Sequence, residues 1–194
     1  MTLGVLPVTD PLALLGAAVR YTDLNLRAVR PDDLSRPTPC SQWNLAELLR
    51  HMDESLAVLE EAVLDRSVLL RPVDHSALAA DPAAALRERA CRMLRSWERD
   101  AASGGVRVGD AMLPVEIAAA AGALDVAVHG WDVGRALGRA RPVPADLAAE
   151  LEVCAALFVS DADRPARFGP PLPVPPWAGP GERLLALLGR DGNL

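Results

Sequence analysis

Lysine is missing from this chain. All 20 of its basic residues are arginine, which removes Schiff-base catalysis, a lysine general base and a phosphate-loop lysine from the available chemistry. Aromatic residues are scarce at 4%, so the 51% hydrophobic fraction rests largely on alanine and other aliphatics and predicts closely packed helices. The three cysteines, Cys40, Cys91 and Cys154, are widely separated with no C-x-x-C pair. That spacing argues against a disulfide framework and a thiolate zinc site, and fits a reducing compartment. There is no basic run and the formal net charge is −6, so neither nucleic acid nor an anionic membrane has an electrostatic footprint here. The longest apolar stretch, around residues 111–131, is interrupted by Pro114, Glu116 and Asp125, and the N-terminus lacks a basic n-region. The chain therefore reads as cytoplasmic, with no membrane span and no leader.

What is present is helical periodicity. At 194 residues the length fits a single domain, 1–194. A first helix follows "TDP" and carries Leu12, Leu15, Val19, Leu26 and Val29, ending before Pro31. Asn44 caps a second helix with Glu47 as its capping-box partner, and Leu45, Leu48, Leu49, Met52, Leu56, Leu59 and Val63 form its apolar stripe, with His51 at the edge. After an irregular stretch, 65–81, Asp81-Pro82 starts a third helix with Leu86, Ala90, Leu94, Trp97 and Ala101 on one side, stopped by Gly104-Gly105. "VRVGDAML" predicts a small hairpin around Gly109-Asp110. A fourth helix runs from Pro114 to about Leu137, and a fifth from Pro144 to about Ser160 with Leu147, Leu151, Cys154 and Phe158 inward and Leu157 beside them. A proline-rich tail then leads to a short helix, Glu182 to Leu188. The fold class is all-α: an antiparallel four-helix bundle with a small β-hairpin, an extra helix and a proline-rich C-terminal tail, an architecture that builds sites between facing helices.

Only three histidines occur, and "ALDVAVHGWD" (123–132) places one of them in an apolar helix. Asp125 and His129 are four apart and share a face, with Asp132 three further on. If that face meets His51, two imidazoles and a carboxylate converge, a set able to hold a divalent ion with positions left open. The same spacing also suits an ordinary hydrogen-bonded core histidine. Asp132 fits either an orienting partner for a ligating imidazole or a salt bridge to Arg135. Trp43 and Trp131 suit core aromatics or pocket walls, and His75 suits an exposed loop. Cys40 has no basic neighbour in sequence closer than Arg36 to activate its thiol.

Three segments carry a resemblance. "TPCSQWNLAELLRHM", "ALDVAVHGWDVGRALG" and "FGPPLPVPPWAGPGERLLALLGR" occur in order between residues 38 and 190. They resemble the DinB-like metal-binding family that includes the N-terminal domain of mycothiol-dependent maleylpyruvate isomerase. The resemblance implies a four-helix-bundle core and a divalent metal, commonly zinc, held by His51, Asp125 and His129; beside them Asp132 is expected as a catalytic-site residue that orients an imidazole. The family segment usually carries glutamate where this chain has Asp125. The resemblance further implies a low-molecular-weight thiol, mycothiol, as cofactor, and S-transferase or isomerase chemistry on a small-molecule substrate. Two other readings stand beside it: a thiol-independent metal-dependent hydrolase, lyase or cyclase, and a non-catalytic helical binding module.

Overall fold

The computed structural model describes residues 8, 10–68, 79–101, 104–139, 141–164 and 167–192. His75 lies outside the described residues. Packing divides the chain into two compact units, Pro11–Arg141 and Pro142–Leu194 with Met1–Asp10. The fold is all-α, a helical bundle with a small β element.

The larger unit contains α1 (Pro11–Leu26), α2 (Leu45–Leu64), α3 (Pro82–Asp100) and α4 (Val115–Ala136). Their starts follow from local chemistry. At α2 the Asn44 side chain accepts from the Glu47 N–H at 3.0 Å while the Glu47 carboxylate accepts from the Asn44 N–H at 2.8 Å, pairing two donors that a helix start leaves orphaned. At α3, Asp81 accepts from the Ala84 N–H at 2.9 Å and Pro82 occupies the first turn, where a missing N–H costs nothing. All seven stripe residues of α2 named above are buried, each fully covered leucine contributing about 1.5–3 kcal/mol. On α3, Leu86, Ala90 and Trp97 are buried as expected, whereas Leu94 and Ala101 are half-buried and Met93 is buried beside them.

Paired residues give the helix directions. Passing along α2 and α3 together, Asp53 meets Arg89 at 2.5 Å, and further on the Trp97 indole N–H donates to the Leu59 carbonyl at 2.9 Å. These two helices therefore run the same way. α3 opposes α1, since Asp23 pairs with Arg87 at 2.6 Å while Gly16 faces Leu94. α4 opposes α2, since His51 approaches Asp125 and Leu59 approaches Gly122. With α4 packed on both α1 and α2, and α3 on both α2 and α1, the result is an up-down-down-up ring.

α4 is the most enclosed of these helices, and small residues let it sit close. A Cβ at Gly130 would collide with the Thr22 side chain, whose hydroxyl donates to the Val126 carbonyl at 2.8 Å. A Cβ at Gly122 would come within 2.6 Å of Leu59. The expected hairpin is present as β2 (Gly105–Val108) and β3 (Ala111–Pro114), turning at Gly109 with φ +56°. A third strand, β1 (Ser67–Val68), pairs in parallel with β2 inside the stretch read as irregular. Two residues are too few to show a strand period.

In the smaller unit α5 (Ala145–Phe158) packs on α6 (Pro180–Leu187). Leu147, Leu151 and Cys154 are buried as expected; Phe158 is half-buried and Leu157 is 57% exposed, because the buried face continues through Ala148 and Ala155 instead. Arg183 grips Glu152 at 2.9–3.1 Å, and Gly189, at φ +74°, ends the last helix. Among the described residues no helix is long and apolar enough to cross a membrane.

Candidate metal centre

His51 lies in the second turn of α2, held in place by the capping box below it, and Asp125 and His129 lie one turn apart on the facing side of α4. The two faces meet. Asp125 Oδ1 is 3.9 Å from His51 Nε2 and 3.5 Å from His129 Nε2, and the two imidazole rings are 5.0 Å apart in an edge-on arrangement. The three donor atoms fall within 4.8 Å of one another. In a tetrahedral site with bonds of about 2.0–2.1 Å, ligand atoms stand about 3.3 Å apart, so the spacing observed is slightly open for such an ion.

The Asp125 side chain is one-third exposed, yet its Oδ2 is sealed from solvent with no hydrogen-bond partner among the described residues. Burial by itself would raise the Asp125 carboxyl, but His129 and His51, with a smaller contribution from the Ser55 hydroxyl, outweigh it and hold the group below the usual carboxylate value. A carboxylate with a buried, unpartnered oxygen is a suitable donor for a cation.

Asp132 is completely buried, and its Oδ2 lies 3.0 Å from His129 Nδ1. Arg135, the other partner considered for it, lies over the Trp131 ring at 5.5 Å. With Asp132 accepting from Nδ1–H, the Nε2 lone pair of His129 points at Asp125. Tyr21 and Asn25 of α1 sit near this carboxylate. Burial raises the Tyr21 hydroxyl, the Asn25 side chain opposes that, and the Asp132 charge adds to the rise.

Two further side chains reach the site from the 34–44 loop. Trp43 stacks on His51 with ring centroids 4.6 Å apart and lies 6.2 Å from His129, which makes it a wall of the site. The Cys40 thiol donates to Asp132 Oδ2 at 3.6 Å. Sequence spacing could not reveal either contact, because a loop has no period. The signal that was available is the Thr-Pro-Cys-x-x-Trp grouping directly ahead of the α2 cap. Cys40, His129 and Asp132 form a second group of potential metal donors.

Comparison with known proteins places these residues in a family context. The family model described as "Mycothiol maleylpyruvate isomerase N-terminal domain" matches residues 15–134, a span that includes every side chain of the site. The chain is 29% identical over 190 residues to the uncharacterized proteins MT0763 and Rv0738 of Mycobacterium tuberculosis (strains CDC 1551 / Oshkosh and ATCC 25618 / H37Rv), covering 93% of this chain and 98% of each relative. No solved structure matches at a significant level.

Proposed function

Since the chain belongs to the family of mycothiol maleylpyruvate isomerase N-terminal domains, we propose that it is a metal-dependent enzyme that activates a low-molecular-weight thiol of the mycothiol type, as an S-transferase or isomerase acting on a small metabolite. The observation that carries this reading is the convergence of His51 Nε2, Asp125 Oδ1 and His129 Nε2. Two imidazoles and one carboxylate suit zinc or another divalent ion, and three protein donors leave room for a thiol. When bound, such an ion supplies Lewis acidity that lowers the pKa of a coordinating thiol, so a nucleophile exists at neutral pH without a lysine or cysteine base.

The chain's own residues have distinct tasks. His51, Asp125 and His129 hold the ion, and the carboxylate offsets part of its charge. Asp132 fixes the His129 ring and keeps its proton on Nδ1. Trp43 covers the outer side of His51 and limits water there. The reading is tested by metal analysis of the purified wild type beside His51→Ala and His129→Ala, followed by turnover assays with and without added thiol. About one ion per chain in the wild type, lost in His129→Ala and diminished in His51→Ala, and strict thiol dependence are the expected results. A metal-free wild type would overturn it, and activity without thiol would favour a hydrolase, lyase or cyclase.

A further inference from the structure

We propose that Cys40, Asp132 and the Nδ1 atom of His129 form a second, thiolate-containing metal position for a thiophilic ion, competing with the His51–Asp125–His129 set for a single imidazole.

The geometry is compact. Asp132 Oδ2 lies 3.0 Å from His129 Nδ1 and 3.6 Å from Cys40 Sγ. A tetrahedral zinc-like ion with bonds of about 2.0–2.1 Å to nitrogen and oxygen and about 2.3 Å to sulfur would place those pairs about 3.3 and 3.6 Å apart. The donors need little movement. Asp132 is wholly buried and the His129 side chain only 12% exposed, while Cys40 is half-buried. A thiolate and a carboxylate balance a divalent charge, so burying the ion leaves no net charge in the interior.

The loop is built to hold the sulfur there. Thr38 Oγ1 donates to the Trp43 carbonyl at 2.8 Å and accepts from the Cys40 N–H at 3.2 Å, and the Trp43 N–H donates to the Cys40 carbonyl at 2.8 Å. At its base, Leu45 and Ala46 N–H donate to the Arg36 and Leu34 carbonyls, each at 2.9 Å, and Pro37 bridges to Asn44. Cys40 is thus fixed to the same cap that positions His51.

A neutral imidazole has one lone pair. With the proton on Nδ1, His129 serves the first set through Nε2. With the proton on Nε2, Nδ1 serves the second. Occupation of the second position releases the Cys40 proton to solvent and transfers the ring proton from Nδ1 to Nε2 through water. The two sets differ in softness, all nitrogen and oxygen in one and sulfur-containing in the other, so the identity of the ion decides which is used.

The test uses the metal-free full-length protein titrated with Cd2+ and, separately, Mn2+. Cd2+ is expected to produce thiolate-to-cadmium absorption in the ultraviolet at about one equivalent, retained in His51→Ala and lost in Cys40→Ser and His129→Ala. Its affinity should fall roughly 10- to 100-fold in Cys40→Ser, while Mn2+ binding persists in that variant. Absence of the band in the wild type, its persistence in Cys40→Ser, or its loss in His51→Ala would each overturn the proposal. Should Cys40→Ser not fold, alkylation of the wild type decides: Cd2+ must protect Cys40, mapped by mass spectrometry, and unprotected Cys40 refutes the site. Because His51→Ala separates the two sets, failure of one reading is distinguishable from failure of the other.

Discussion

At the residue scale, Asp132 governs His129 through its charge. Asp132→Asn preserves shape but replaces a carboxylate with an amide that holds the imidazole proton less firmly. Metal affinity is expected to drop about 10- to 100-fold, read by titration calorimetry, with the helical circular dichroism unchanged; equal affinity would show that the ring is oriented by packing instead. Asp23 offers a pH-dependent test. Burial would raise its carboxyl, but hydrogen bonds from Arg87 and Arg27 hold it below the ordinary carboxylate value. A group depressed in the folded state stabilises above its unfolded pKa, and that contribution disappears as pH falls through the folded value. Asp23→Asn should therefore destabilise by less than about 1 kcal/mol at pH 7, with the difference shrinking toward pH 3 in denaturant titrations. A cost independent of pH would remove the ion pair as its cause. Helical spacing singled out His51, Asp125, His129 and Asp132 but suited a hydrogen-bonded core histidine as well as a metal site, and only the family resemblance favoured the latter; Cys40 and Trp43 depend on where a loop folds back.

At the element scale, the close seating of α4 is the feature most sensitive to change. Gly130→Ala would drive a methyl into Thr22, one residue from His129. Overpacking of this kind costs about 1–3 kcal/mol and should weaken metal binding as well, because the helix must shift to relieve it; a thermal melt and a metal titration of the same variant check both. Unchanged melting and affinity would mean that Thr22 gives way without moving α4. The start of α2 was readable to the residue, since Asn44 and Glu47 are a reciprocal pair written three positions apart. β1 was not readable, because its two residues acquire strand geometry only by pairing with Arg107 and Val108. On α5 the expected stripe ran through Phe158 with Leu157 beside it, whereas the alanines at 148 and 155 are fully buried and Leu157 is exposed; small residues carry little periodic signal yet allow tighter packing.

At the scale of the whole molecule, a metal held as proposed would make binding and folding one equilibrium. An ion held by α2 and α4 binds the folded bundle and not the separated helices, so free metal at about 100 times its dissociation constant should stabilise by about 2.7 kcal/mol. For a chain of this size that is a rise in melting temperature of about 5–10 °C, removed by chelation and, with Mn2+ as the ion, absent in His51→Ala. Scanning calorimetry of metal-free and metal-loaded protein measures it, and coincident melts would separate metal from fold stability. The helical class and the number of helices follow from apolar periodicity over long windows. Helix direction does not, because periodicity is the same read up or down the bundle; only pairs such as Asp53 with Arg89 reveal that α2 and α3 run together.

That shared direction has a consequence for how the protein is made. The chain leaves the ribosome from its N-terminus, and the helix seated against both α1 and α2 is the last of the four to emerge. His51 is synthesised well before Asp125 and His129, so a nascent chain ending at α3 carries one donor of the His51–Asp125–His129 set and none of the carboxylate. On the proposed reading, loading of that set would await completion of α4, and a bound ion would act as a late fastener that records the bundle as finished.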